Sequence, residues 1–204
     1  MKTEIITPRE ITRALEILNR GGLVAFPTDT VYGLGALAFD GKAVESIYQA
    51  KDRPAEKAIP VLIGETDDLQ MIASQVPEMA RKLAARFWPG PLTLVIPKKP
   101  EHPEVVSSTD TVAVRIPDHK VARELLRKAG PLAVTSANIS SQPSPSTADE
   151  VYAQLGGRIA LIIDGGIAPG GLPSTLVDCT GDKPIILREG PITLDDLLSV
   201  LHSS

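Results

Sequence analysis

The chain has 204 residues, 43% of them apolar, and a formal net charge of −4 at pH 7. That length can bury a full core without metals or disulfides, and the lone Cys179 has no second cysteine to pair with. The negative balance and the 3% of aromatic residues argue against a general nucleic-acid-binding or base-stacking protein. A charged N-terminus without a long apolar run predicts no signal peptide, no membrane span and a cytoplasmic location.

The first half of the chain alternates between helix and strand patterns. Thr7-Pro8-Arg9-Glu10 has the form of a capping box, and the helix that it opens is predicted to end at Gly21-Gly22. An apolar run at 23–26 predicts a buried strand. The pattern continues with a helix at 41–50, a strand at 59–63, a helix at 77–87 and a strand at 92–97.

The second half continues the alternation and then departs from it. After a polar loop, 98–110, the pattern predicts a strand at 112–115, a helix at 119–129, a strand at 132–136, a helix at 148–156 opened by a capping box at Thr147, strands at 159–163, 174–178 and 185–188, and a last helix capped by Thr193. The last two strands have no helix between them, which favours an antiparallel pair and a mixed sheet. We therefore expect one α/β domain over residues 1–204, with a mixed sheet flanked by helices.

Polar residues follow the first predicted strand and the predicted strand 132–136. The segment 27–35 is rich in glycine and threonine and lies where ligand sites of open α/β sheets form, although an ordinary glycine turn explains it equally well. It has neither the P-loop nor the GxGxxG spacing. Ser136 and Asn138 place a hydroxyl and an amide at a strand end, but these residue types are also common in turns.

Cationic side chains suggest a site for phosphate and carboxylate groups. Lys51, Arg53 and Lys57 lie within seven positions after the helix 41–50, a spacing that suits phosphate oxygens but also the negative end of a helix. Arg115, on the strand 112–115, is long enough to reach a substrate carboxylate or bulk solvent. The three histidines form no pair with serine or cysteine and no metal-ligand cluster in the sequence, so nucleotidyl transfer, which needs positioning and cations, fits these residues better than covalent or zinc chemistry.

Eight ordered motifs resemble those of the YrdC/TsaC-like threonylcarbamoyl-AMP synthase family in its single-domain form. They lie at 27–35, 51–54, 88–93, 112–115, 136–138, 163–166, 174–175 and 187–190, so the resemblance covers nearly the whole chain. It implies a twisted mixed sheet with a large concave ligand cavity, as in other YrdC-like proteins. It also implies synthesis of threonylcarbamoyl-AMP from L-threonine, bicarbonate and ATP, with release of pyrophosphate, for the threonylcarbamoyladenosine modification of tRNA.

The resemblance also implies roles for residues and partners. The catalytic set would be Lys51, Arg53, Ser136 and Asn138. The threonine site would be Thr30, Arg115, Val134 and Ser174. The ATP site would be Arg53, Lys57, Thr111, Ser136, Asn138, Ser144 and Arg188. Mg²⁺ would arrive with the nucleotide rather than on a protein metal site, and a downstream tRNA threonylcarbamoyl transferase complex would take the product. Because carbamates break down readily in water, we also expect a loop to close over the cavity, and 165–173 is the candidate.

Two other functions remain open at this stage. A carbamoyl-adenylating enzyme of the hydrogenase-maturation type has a similar domain, but it is usually embedded in a much longer chain. A double-stranded RNA or tRNA-binding module would use a basic groove on the concave face, and the acidic balance of this chain argues against more than weak RNA binding.

Overall fold

The computed structural model describes residues 2–169 and 172–202. Within them, the strands are β1 Glu4–Ile6, β2 Val24–Pro27, β3 Tyr32–Leu37, β4 Val61–Leu62, β5 Leu92–Pro97, β6 Thr111–Arg115, β7 Leu132–Ser136, β8 Leu161–Ile163, β9 Thr175–Asp178 and β10 Ile185–Arg188. The helices are α1 Ile11–Asn19, α2 Gly41–Lys51, α3 Leu69–Ile72, α4 Glu78–Phe87, α5 Lys120–Ala129, α6 Ala148–Leu155 and α7 Leu194–His202.

The predicted helix starts are confirmed by their hydrogen bonds. The carboxylate of Glu10 accepts from the Thr7 amide at 3.0 Å, and a short 3₁₀ turn then leads into α1. The Thr147 hydroxyl accepts from the Glu150 amide at 3.2 Å at the start of α6. The Thr193 hydroxyl makes the same kind of contact before α7. These local bonds satisfy amides that have no partner within the helix, which is why the caps could be predicted from sequence.

The described strands form one mixed sheet in the order β1-β8-β2-β3-β7-β4-β6-β5-β9-β10. The predicted antiparallel pairing of β9 with β10 is confirmed, and β4 pairs parallel with β6 but antiparallel with β7. Apolar side chains of α1 and α5 form a core cluster with β2 and β8, and a second cluster gathers those of α2, α4, α6 and α7. The predicted α/β class, with a mixed sheet flanked by helices, is confirmed.

The strand β3 begins in the segment 27–35, for which the sequence left open a ligand site or an ordinary glycine turn. Its glycines instead let neighbouring side chains pack closely within the sheet: a Cβ on Gly33 would lie 2.7 Å from Val134 Cγ1, and one on Gly35 would lie 3.1 Å from Phe26. β3 pairs with β2 and β7. Thr28, Thr30 and Val31 in the turn before β3 line the main cavity, and so does Gly33 of β3 itself.

Two further elements were not predicted. β1 is only three residues long and depends on parallel pairing with β8, more than 150 positions along the chain. α3 is a single turn of four residues. Short elements of this kind carry little periodicity, so tertiary contacts decide them. Among the described residues, no helix is long and apolar enough to cross a membrane.

Candidate active site

A cavity of about 460 Å³ lies between the turn after β2 and the ends of β5, β6, β7, β9 and β10. All but three of the predicted site residues line it: Thr30, Arg53, Thr111, Arg115, Val134, Ser136, Ser144, Ser174 and Arg188. The three that do not are Lys51, Lys57 and Asn138. Residues from widely separated motifs therefore meet at one cavity.

Three guanidinium groups give this cavity its charge. Arg53, Arg115 and Arg188 all line it, and burial lowers the pKa of each from its ordinary value. The charges of Arg115 and Arg53 lower the pKa of Arg188 further, because both guanidinium groups lie near it. Like charges brought together in a partly dry cavity favour the binding of anions, because an anion relieves their repulsion.

Backbone carbonyl groups hold two of these arginines in place. Arg53 donates from Nε to the Lys57 carbonyl at 3.2 Å and from Nη2 to the Ala58 carbonyl at 2.9 Å. Arg188 donates from Nε and Nη2 to the Ser174 carbonyl at 3.1 and 2.9 Å. Because a carbonyl group orients a guanidinium without neutralising it, both side chains keep their full charge for a ligand.

Arg115 is the most completely fixed cation in this cavity. It is 5% exposed and donates to the Gly90 carbonyl at 2.9 Å, to the Thr30 hydroxyl at 3.2 Å and to the Asp29 carboxylate at 2.5 Å. Burial lowers the pKa of Arg115, and the Asp29 charge opposes that shift. The Thr30 hydroxyl also lies 3.1 Å from that of Thr28.

Lys51 has a different place from the one that we expected. Its side chain is 1% exposed, and its ammonium group donates to the backbone carbonyls of Ser136 and Asn138 rather than facing the cavity. Burial, with a smaller contribution from Arg53, lowers the pKa of Lys51 to about 7. Lys51 thus joins the end of α2 to the segment after β7, and its predicted catalytic role stays a prediction.

Asn138 and Lys57 also lie away from the cavity wall. The Asn138 amide group donates to the carbonyls of Ile139 and Gln142 at 2.7 and 2.8 Å, so it shapes the loop after β7. Lys57 is exposed, and its carbonyl accepts from Arg53 and from the Tyr48 hydroxyl. Spacing in the sequence grouped both residues with the site, but the direction of each side chain depends on the fold.

The sequence reading missed several groups at or near the cavity. The Thr93 hydroxyl lies 2.7 Å from the Ser174 hydroxyl, and the run 107–109 supplies three more hydroxyl side chains to the wall. Asp29, the ionic partner of Arg115, was not assigned a role. The only signal for 107–109 was its Ser-Ser-Thr composition within a polar loop, and no local pattern links Asp29 with a residue 86 positions away.

The predicted closing loop 165–173 is described only in part, because Gly170 and Gly171 lie outside the described residues. The Tyr32 hydroxyl donates to the Gly166 carbonyl at 2.6 Å. The Ala168 amide donates to the Ser146 carbonyl at 2.9 Å. These bonds attach the first half of the loop to β3 and to the segment before α6.

The part of the chain that the structure describes holds no group of three or more His, Cys, Asp or Glu side chains arranged to bind a metal ion. The polar side chains that line the cavity are instead three arginines, several hydroxyls and one carboxylate, that of Glu56. The arginines and hydroxyls suit phosphate and carboxylate oxygens, which accept charge-assisted hydrogen bonds.

Comparison with known proteins agrees with the motifs. The curated threonylcarbamoyl-AMP synthase of Bacillus subtilis (strain 168) is 45% identical over 195 residues, which cover 94% of this chain and 56% of that protein. The structure of P. abyssi Sua5 complexed with L-threonine matches with a TM-score of 0.92 and 44% identity, over 98% of this chain and 60% of that one. E. coli YciO matches with a TM-score of 0.86 and 28% identity, over 97% of this chain and 100% of that one.

The relatives differ in how much of their own length this chain covers. This chain spans between half and two thirds of the length of the Bacillus subtilis and P. abyssi proteins, and the whole length of E. coli YciO. A family model for the Sua5/YciO/YrdC domain, described as "Telomere recombination", matches residues 16–190. The resemblance inferred from eight motifs is confirmed: the chain belongs to the Sua5/YciO/YrdC family.

Proposed function

We propose that this chain catalyses the ATP-dependent synthesis of L-threonylcarbamoyl-AMP from L-threonine, bicarbonate and ATP, with release of pyrophosphate. The observation that carries the proposal is the convergence of Arg53, Arg115 and Arg188 on one hydroxyl-lined cavity. One carboxylate and a chain of phosphates are the anions that such a set can bind together. The printed names of the Bacillus subtilis protein and of the threonine complex support this choice of substrates.

The threonine end of the cavity is assigned to Arg115 and its neighbours. Arg115 has five N–H groups and uses three of them within the protein, which leaves two for a substrate carboxylate. Thr30 and Ser174 add hydroxyl groups to this wall, and Val134 adds an apolar side chain. The Val134 amide already donates to the Pro60 carbonyl, so the residue contributes bulk rather than a free donor.

The nucleotide end is assigned to Arg53 and Arg188, with the hydroxyls of Thr111, Ser136 and Ser144. The two arginines would bind phosphate oxygens, and Mg²⁺ would enter with ATP as part of the substrate. Lys57, exposed beside Arg53, is long enough to reach a phosphate from the rim. Lys51 and Asn138 would act indirectly, because they hold the segment that carries Ser136.

The reaction proposed here needs no side-chain nucleophile. The threonine amine and bicarbonate form a carbamate with loss of water, and a carbamate oxygen then attacks the α-phosphorus of ATP. The bond from the α-phosphorus to the bridging oxygen breaks, and pyrophosphate leaves with that oxygen. The protein contributes proximity and the positive charge that stabilises the pentavalent transition state.

The proposed reaction also implies a place for this chain in tRNA modification. The product would serve the threonylcarbamoyladenosine modification of tRNA through a downstream transferase complex in the cytoplasm. Residues 1–204 would act as one domain, since the described strands share one sheet. RNA binding, if present, would be weak, because the net charge is −4.

The test is pyrophosphate release from ATP by the purified protein with magnesium, omitting threonine and bicarbonate in turn. Release that requires both compounds is expected. Release that depends on carbamoyl phosphate instead would favour the carbamoyl-adenylating alternative. A salt-sensitive shift of double-stranded RNA without any pyrophosphate release would favour the RNA-binding one.

A further inference from the structure

We propose that Asp29 is a positioning residue that fixes the Arg115 guanidinium for the carboxylate of an α-amino-acid substrate. The proposal rests on the proposed function, because it assigns that carboxylate to Arg115. Asp29 does not line the main cavity, and it acts on the substrate only through Arg115.

The Asp29–Arg115 contact is short and largely dry. Asp29 Oδ1 lies 2.5 Å from Arg115 Nη2, and the two side chains are 12% and 7% exposed. A buried cation that loses its only ionic partner is strongly destabilised, so it moves toward any other anion or toward water. Asp29 therefore fixes both the charge balance and the place of the guanidinium.

The other two contacts of Arg115 cannot replace Asp29. The Gly90 carbonyl accepts from Nε, at the near end of the guanidinium. The Thr30 hydroxyl accepts from Nη1, but it can rotate, and it also lies 3.1 Å from the Thr28 hydroxyl. Asp29 alone among the three partners carries a charge, and it holds Nη2. With Nη2 fixed, the plane of the guanidinium is defined, and its two remaining N–H groups keep one direction for a carboxylate.

Asp29 reaches Arg115 from behind the main cavity. It lines a second cavity together with Gly90, Asp118 and several prolines, and Thr30 lines both cavities. The carboxylate thus holds the guanidinium without occupying the substrate space. Asp118, an exposed acidic residue of the same second cavity, provides a matched control for the loss of one negative charge there.

The kinetic test compares Asp29→Ala, Asp29→Asn and the control Asp118→Asn. In Asp29→Ala, the KM for threonine should rise by about ten-fold or more, while the KM for ATP should change by less than about two-fold. Asp29→Asn should raise the threonine KM less than Asp29→Ala does, because its amide oxygen still accepts from Nη2 but carries no charge to balance the guanidinium. Asp118→Asn should match the unchanged protein. An unchanged threonine KM in a folded Asp29→Ala protein would overturn the proposal.

An NMR measurement separates this proposal from the proposed function. In the unchanged protein and in Asp29→Asn, the Arg115 guanidinium should rotate slowly, and its Hη signals should be resolved. In Asp29→Ala it should rotate faster, and the Hη signals should be averaged. If the unchanged protein releases no pyrophosphate with threonine and bicarbonate, the proposed function fails. The rotation of the Arg115 guanidinium then tests the positioning role of Asp29 independently of activity. Resolved Arg115 Hη signals in Asp29→Ala would refute that role. Should Asp29→Ala not fold, Asp29→Ser takes its place with the same expectations.

Discussion

At the scale of single residues, Lys51 and Arg53 show how neighbours in sequence take different roles. Lys51 is the last residue of α2 and points into the protein, where its ammonium group meets the backbone after β7. Asp52 then adopts a left-handed conformation, with φ of 51°, and ends the helix. Arg53 follows that turn and lines the cavity. The motif supplies two cations, and the turn between them separates a buried side chain from one that lines the cavity.

Lys51→Met should lower both stability and pyrophosphate release. Two buried carbonyls lose their donor, which costs roughly 1–3 kcal/mol for each unsatisfied group, and the segment that carries Ser136 loses its anchor. Arg53→Ala provides the contrast: release should fall by about 10²-fold or more, while the free energy of unfolding should change less, since the carbonyls that this side chain contacts belong to the exposed residues Lys57 and Ala58.

The loss of stability in Lys51→Met should also depend on pH. The pKa of Lys51 is about 7 in the folded protein against 10.5 for an ordinary lysine, so between these values the unfolded chain binds more protons. Stability from this group therefore increases as pH rises from about 7, and the gap between the unchanged protein and Lys51→Met should widen. Urea unfolding at about pH 7 and about pH 9 measures the gap. A gap that narrows would contradict the assignment.

At the scale of elements, the segment between β5 and β6 carries one wall of the cavity without regular structure of its own. Its Val105 carbonyl accepts from the Tyr48 hydroxyl at 2.8 Å, and its Val106 carbonyl accepts from the Ile59 amide at 2.9 Å. His102 is 3% exposed, packs against the Phe39 ring at 4.9 Å and has no hydrogen-bond partner for either ring nitrogen within the described chain. The sequence identified this segment only as a polar loop.

Acid should loosen the segment 99–109. Burial, with a smaller contribution from Lys98, lowers the pKa of His102 to about 4 from 6.5. The opened segment therefore binds a proton that the packed one does not, and its stability falls as pH drops from 6.5 toward 4. Hydrogen exchange of 99–109, corrected for intrinsic rates, should show this change. His102→Phe should remove it, whereas His202→Gln, at an exposed position, should not. Identical pH profiles for the unchanged protein and His102→Phe would contradict the prediction.

At the scale of the whole molecule, the sheet joins distant parts of the chain. β1 pairs with β8, and β5 pairs with β9, so the beginning, middle and end of the sequence share one hydrogen-bonded layer. The cavity depends on this arrangement, because its arginines come from three separate regions. Loss of β5, β6, β7, β9 or β10 from the sheet would remove residues that line the cavity.

The described chain should unfold in one cooperative transition. Since no group of strands is separate from the others, the calorimetric and van't Hoff enthalpies should agree. Threonine and Mg-ATP should raise the Tm, because they bind the folded state. Differential scanning calorimetry with and without these compounds tests both points. Two resolved transitions would instead show that residues 1–204 do not act as one domain.

Most long elements, the helix caps, the antiparallel pair at the end, the family and nine of the residues that line the cavity could be predicted from the sequence alone. These features depend on local periodicity, on caps that close within four residues and on motif order, all of which can be read along the chain. Tertiary structure alone decided that β3 is a strand, that Lys51 faces backbone carbonyls, and that Asp29 pairs with Arg115. Each depends on contacts between residues far apart in sequence, where burial, close packing and charge pairing outweigh local preference.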